Sequence, residues 1–405
     1  MTDEITKRLF KNQLAMGFAG LVLCFIASMI LWPLWAIGAK SVLSVIAAKG
    51  LAAAGPELSV KLLGAMVEGT FMWFVITAWI WMVICFDCYG KERFGQKQPW
   101  GGIGYSLLMI VVGALGFLVL ISFIGIWWKP FNLAIMFTPA TAAEAAMALT
   151  GWEVSNFYSL AVVVVQIAFA TLLHKWPFAG KSNGLTDNIS NFAAGTVATF
   201  IAFMAFIVPS FMPLSSGGEA VTMVPFGGFP SLLAFLLGFV IISCVPVMGG
   251  ELYPLKPFAK TQPYMGIVGV LIGIVAGFVF PPVLRSIFEP MNLLPGAPVD
   301  IVVSSLELSV IIVILAWAEL FDSYPSPDLV PNAAVRILVR VGVWIFGGLG
   351  LGVLWLKTFH LLPIGGNNFG MGFQTMGVVA GQFAFLMTFL VFNVNFSRWP
   401  LVRKG

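Results

Sequence analysis

The chain has 405 residues, of which 60% are hydrophobic and 9% charged, against roughly 25% charged in a soluble domain. Only a bilayer solvates so much apolar surface, which excludes a water-soluble globular protein and makes this a polytopic membrane protein. The net charge of +4 is too small to suggest nucleic acid, and Cys24, Cys85, Cys88 and Cys244 all lie in or beside apolar runs, so no disulfide framework is expected.

Residues 1–13 are polar and charged, with no cleavable signal, because the apolar run that follows is long enough to span. Ten apolar runs then predict spans at 14–37, 66–86, 104–128, 154–174, 191–212, 230–249, 264–283, 302–322, 335–356 and 373–396. They are expected to be helices, since in hydrocarbon each backbone donor must be satisfied within its own segment. No run of short alternating strands suggests a β-barrel. Between spans, residues 139–149 and 41–53 read as short interfacial helices, the first with Thr138 as N-cap.

Five apolar segments end in a similar short mark. These are Phe86-Asp87-Cys88-Tyr89, His174-Lys175-Trp176-Pro177, Leu252-Tyr253-Pro254, Phe321-Asp322-Ser323-Tyr324 and Ser397-Arg398-Trp399-Pro400. They divide the chain into five antiparallel hairpins. All basic residues except Lys40, Lys49, Lys61, Lys129, Arg285 and Lys357 fall on one side, so the positive-inside rule places both termini in the cytoplasm. The expected location is the cell inner (plasma) membrane, crossed many times. Trp100, Trp127, Trp128, Trp176 and Trp399 mark span ends.

Aligning Asp87 with Asp322 pairs spans two to four with spans eight to ten, a parallel repeat. The chain then divides into a cytoplasmic segment 1–13, a first repeat 14–176, a connecting hairpin 177–262, a second repeat 263–400 and a cytoplasmic tail 401–405. Odd spans hold 16 glycines and even spans five. Small residues let helices approach closely in lipid. This predicts an inner ring of odd helices, with the aromatic-rich even helices facing lipid. The glycines either aid packing or line a conduit.

Charges inside spans are costly and few. Glu68 and Glu307 are expected in the first outer turn of spans two and eight, as dipole-stabilised interfacial acids or as a pair binding a cation or proton. Asp87 and Asp322 end the same spans and need partners; Lys91 suits Asp87, and Arg336 or Arg340 suits Asp322, as a structural clamp or an inner gate. Glu319 is the best candidate for a buried, titrating carboxyl. Gln166, Gln382, Asn393 and Asn395 are polar residues for interhelical hydrogen bonds or a solute path. Phe117 and Phe278 fall near mid-span on odd helices. Cys85-Phe86-Asp87-Cys88 is a CxxC, but no second ligand cluster accompanies it, so neither metal nor other cofactor is expected. No acid, base and nucleophile combine into a catalytic constellation.

Five two-helix hairpins with small-residue odd helices, and Phe25, Phe117, Phe203, Phe278 and Phe346 near mid-span, resemble the slow-anion-channel and tellurite-resistance transporter family. The resemblance implies odd helices around a central pore occluded by a phenylalanine. That family kinks its inner helices at proline, whereas spans three and nine contain none. The leading expectation is a channel or permease for a small neutral, weakly acidic or apolar solute, along a pathway lined by glycine-rich odd helices. The alternative is a non-catalytic membrane subunit anchoring a redox or hydroxylating complex. The partners expected are lipid, a small-molecule solute, and either further copies or a larger membrane complex, with no nucleic acid.

Overall fold

The computed structural model describes residues 6–94, 97–180, 184–203, 229–257, 261–364 and 378–404. The end of the expected fifth span and the first residues of the tenth, with Gly377, lie outside the described residues. Among the described residues ten longer helices follow one another: α1 (Gln13–Ile46), α2 (Pro56–Cys85), α3 (Trp100–Gly125), α4 (Ala142–Thr171) and α5 (Gly184–Ala202), then α6 (Phe229–Cys244), α7 (Tyr264–Phe288), α8 (Val299–Glu319), α9 (Ala333–Leu361) and α10 (Val379–Val394). Seven of them, α1 to α4 and α7 to α9, are long and apolar enough to cross a membrane. The chain is therefore a helical protein with the features of a multi-pass membrane protein.

Side-chain caps set several starts. Asn12 accepts from the Leu14 and Ala15 amides at 2.9 and 3.1 Å, and Asn332 does the same for Ala334 and Val335 at 2.9 and 3.2 Å. The expected interfacial helix at 139–149 is instead continuous with α4. Its cap is Thr141 rather than Thr138: Thr141 accepts from the Glu144 amide, and Glu144 accepts from the Ala140 amide, a near capping box. Likewise α1 runs on to Ile46, and α2 begins ten residues earlier than hydropathy placed it.

The layering reverses the expectation. In α2, α4 and α8, 83%, 72% and 72% of the most apolar window is buried, against 28%, 28%, 28% and 22% in α1, α3, α7 and α9. The even helices form the core. α2 packs on α4, α4 on α6, α6 on α8 and α8 on α10, while each odd helix lies outside against one to three even ones. Most glycines of the odd helices face this core, Gly342 and Gly350 being exceptions with open space beside them. A Cβ at Gly113 would stand 2.4 Å from the Trp73 carbonyl oxygen, and one at Gly348 would stand 2.6 Å from Val310 Cα. An outer helix has one packing face, and glycine there brings two backbones together. An inner helix is contacted all round, so bulky side chains fill its surroundings. Glycine content therefore marks which face of a helix packs, not which helix is central.

The five marks have one backbone geometry. Each holds two consecutive left-handed residues: Asp87 and Cys88, His174 and Lys175, Glu251 and Leu252, Asp322 and Ser323, Ser397 and Arg398. In each, the second of these donates its amide to a carbonyl six residues back, as Cys88 does to Met82 at 2.9 Å and Arg398 to Phe392 at 3.0 Å. Such bonds satisfy the orphan carbonyls of a helix end. Four marks close on a cis proline, and Gly90, at φ 80°, takes that place in the first. At the two ends of the chain, Thr6–Arg8 pairs antiparallel with Val402–Lys404, joining the termini in a two-stranded ribbon.

Candidate functional site

The five even helices enclose a central chamber of about 150 Å³. Each contributes apolar side chains, including Ile80 and Ile84 from α2, Val163 and Ile167 from α4, Leu237 and Val240 from α6, Ile311 and Leu315 from α8, and Leu386 and Leu390 from α10. α2 presents all but Trp79 of its lining residues from two π-helical stretches, Met72–Thr77 and Ile80–Cys85. Such stretches recur at functional sites because they re-aim side chains. Among the lining residues, the polar side chains are Glu319, Thr171 and Cys244. An apolar cavity of this size stays dry and accepts a ligand on the scale of benzene.

A chain of polar groups leads from the chamber to the end of the bundle that carries the marks. Glu319 Oε2 accepts from Asn393 Nδ2. Asn393 Oδ1 accepts from Arg398 Nε at 2.6 Å, and Arg398 pairs with Asp322 at 2.8 Å. Asp322 also meets Arg8 at 3.6 Å, and Gln13 Nε2 donates to the Phe321 carbonyl at 2.6 Å. Arg8 of the N-terminal strand and Arg398 of the fifth mark thus converge on the Asp322 carboxyl of the fourth mark. Arg8 and Asp322 reach solvent, with side chains 53% and 33% exposed, while Arg398 is 22% exposed.

The expected clamps are paired differently. Asp87 pairs with Lys175 of the second mark at 2.5 Å, not with Lys91, whose ammonium donates to the Val394 carbonyl and Ser397. Asp322 takes Arg398 and Arg8, whereas Arg336 and Arg340 both hold Glu251 of the third mark, at 2.6 and 3.4 Å. Arg340 further binds the Gly249 and Pro325 carbonyls at 2.7 and 2.8 Å, tying the third mark to the fourth. The Arg336 hydrogen bond, aided by the charges of Arg336, Arg340 and Lys256, holds the Glu251 carboxyl below the usual carboxylate range against a smaller opposing effect of burial. Sequence proximity misled here because partners come from neighbouring hairpins.

The remaining candidates are dispersed. Gln166 accepts from Cys85 Sγ at 3.3 Å and reaches Thr196 on α5 at 3.4 Å. Gln382 binds the Ser305 carbonyl at 3.0 Å and Ser309 Oγ at 2.7 Å, stitching α10 to α8. Asn395 turns outward to Ser106 on α3 at 2.9 Å. Phe117 stacks on Trp152 at 5.2 Å and borders a separate outer groove beside α1. Phe278 is 46% exposed and Phe346 80%, both on outer helices, so neither occludes a central path. Glu68 and Glu307 are not interfacial. Both are fully buried well inside α2 and α8, and the structure does not bring them to the chamber wall. The chamber lining itself was not singled out from sequence. Its signal was the run of branched aliphatic residues on even spans, which hydropathy alone does not separate from a lipid-facing run. The four cysteines are free, and no group of three or more His, Cys, Asp or Glu side chains could hold a metal ion among the described residues.

Protein-family models, curated proteins and solved structures were compared with the chain, and none matches it.

Proposed function

We propose that this chain is a membrane permease for a small, largely apolar solute carrying one weakly acidic or neutral polar group. The apolar body would sit in the central chamber and the polar head would meet the Glu319–Asn393–Arg398 group at its end. The pathway runs inside the even helices, in place of the odd-helix lining expected from glycine content. The observation that carries the reading is an apolar chamber walled by all five core helices with a single carboxyl among its lining. Solute sites of transporters characteristically lie between helices near the bilayer midplane.

The same reading takes all ten helices as crossings, in five hairpins with both ends cytoplasmic. The ribbon between Thr6–Arg8 and Val402–Lys404 supports an even number of crossings. The shared geometry of the five marks supports a hairpin repeat. α6 and α10 have 16 residues each, or roughly 24 Å at 1.5 Å per residue.

The test is solute counterflow in proteoliposomes with a panel of short alkyl and aryl carboxylates and their neutral analogues. Saturable counterflow that Ile311→Trp abolishes, with the variant still folded, is the expected result. Flux equal to that of protein-free liposomes, or unaffected by filling the chamber, rejects the reading. A stoichiometric partner retained on purification from native membrane would favour the anchoring-subunit alternative.

A further inference from the structure

One buried group lies outside this chamber and its polar chain. Glu307 is the ninth residue of the 21-residue α8, fully buried, and neither of its carboxylate oxygens has a hydrogen-bond partner among the described residues. It points at the crossing of α6, α7 and α8. A methyl group at Gly238 on α6 would stand 3.2 Å from Glu307 Oε1, 3.3 Å from the Ala276 carbonyl oxygen and 3.1 Å from Gly277 Cα. The absent side chain of Gly238 therefore leaves a space bordered by a carboxylate on one side and α7 backbone on the other.

The α7 backbone at this point is unusual. Pro281 and Pro282 lie inside the helix and supply no N–H groups, so the Gly277 and Phe278 carbonyls lack their usual helical donors. A buried carboxylate that faces the Ala276 carbonyl across the Gly238 gap is a strongly negative enclosure, and such a charge costs far more than it returns unless something neutralises it. The protein's own cations do not reach it. α6 and α10 carry no charged residue, α7 carries only Arg285, and Arg285 is bound to Asp300, which also accepts from Ser231. Asp300 lies two turns away on the same helix and adds negative charge. The remaining acidic, basic and histidine side chains on helices packed around this group are Glu319 on α8 itself, Arg336 and Arg340 of α9, both bound to Glu251, with Lys357 and His360 of the same helix, and Glu144 and Glu153 of α4.

We propose that Glu307, with the Ala276 carbonyl across the Gly238 gap, forms a mid-membrane site for one small cation, either a proton or a monovalent metal ion. The two sources share the chemistry, a single positive charge offered to a carboxylate and a backbone oxygen. The site is separate from the solute chamber and its test needs no solute, so it stands or falls without the permease reading.

The experiment follows the thermal unfolding of the full chain in detergent, titrating NaCl against choline chloride at fixed pH, and pH at fixed salt. A ligand that binds the folded state alone raises its Tm with concentration. A Tm rising with sodium identifies the metal ion, and a Tm falling as pH rises identifies the proton. In either case Glu307→Gln loses the dependence, and Gly238→Ala, which places a methyl against the carboxyl, moves the titration midpoint, to higher sodium where the metal ion is bound and to higher pH where the proton is. A wild type indifferent to both titrations, or a Glu307→Gln variant that responds as the wild type does, overturns the proposal. Should Glu307→Gln not fold, infrared difference spectra between the two salts and between two pH values read the same carboxyl. The expected carboxyl band is displaced in Gly238→Ala, and no such band, or one unchanged by Gly238→Ala, overturns the proposal as well.

Discussion

Gly348 and Gly350 lie two residues apart on α9 and offer a direct test of which helix faces pack. A Cβ at Gly348 would meet Val310 Cα at 2.6 Å and Val310 Cγ2 at 2.8 Å, while nothing lies within 4 Å of the same position at Gly350. Replacing either by alanine gains about 1 kcal/mol of helix propensity. Only Gly348→Ala also forces α9 away from α8, an overpacking cost of about 1–3 kcal/mol. Gly350→Ala is therefore neutral to stabilising, Gly348→Ala ranges from neutral to about 2 kcal/mol destabilising, and the difference between them is about 1–3 kcal/mol. Reversible unfolding by SDS in mixed micelles measures it. The unfolded state there keeps much of its helix, which shrinks the propensity gain in both variants and leaves their difference intact. Equal stability of the two variants would refute the placement of α9 as an outer helix packed through Gly348.

Glu251→Gln leaves Arg336 and Arg340, 7% and 5% exposed, without their shared carboxylate. Because both keep backbone carbonyl partners, the expected loss is about 1–3 kcal/mol. The folded protein holds the Glu251 carboxyl below its ordinary value. Its stabilisation is complete above the unfolded value of about 4.3 and disappears as pH falls through the folded one, so the variant should flatten the acid limb of stability in that window. Glu319→Gln is expected to flatten the pH dependence of solute uptake, and an unchanged profile would remove Glu319 from the mechanism. Asn393→Leu cuts the contact between Glu319 and Arg398, and should alter that profile while leaving Tm nearly unchanged if the chain of polar groups acts in uptake; an identical profile would assign Asn393 to packing alone.

Membrane residence and helical class were legible in composition, because apolar content and run length bound what a bilayer can hold. The five marks were legible as strings, and the structure gives them one shape, since consecutive left-handed residues and a sixth-residue amide bond repeat at Cys88, Lys175, Leu252, Ser323 and Arg398. Glu319 was legible as a lone acid near a span end, and the structure sets it at the chamber. Its partners Asn393 and Arg398 were not, because they come from a hairpin whose distance in sequence says nothing about distance in space.

The order of layers also escaped sequence. Lipid tails and core side chains are both apolar, so a run such as 302–316 reads the same whether it faces one or the other. Glycine pointed to close approach, and close approach does occur at Gly113 and Gly348, but approach involves two helices and only the tertiary structure says which of them is central. The same holds for Glu307. Sequence by itself determined that an acid lies within an apolar run. Only the folding of α6 and α7 against α8 decided that it is enclosed between Gly238 and the α7 backbone at Ala276 and Gly277, because burial is a property of neighbours and not of the residue.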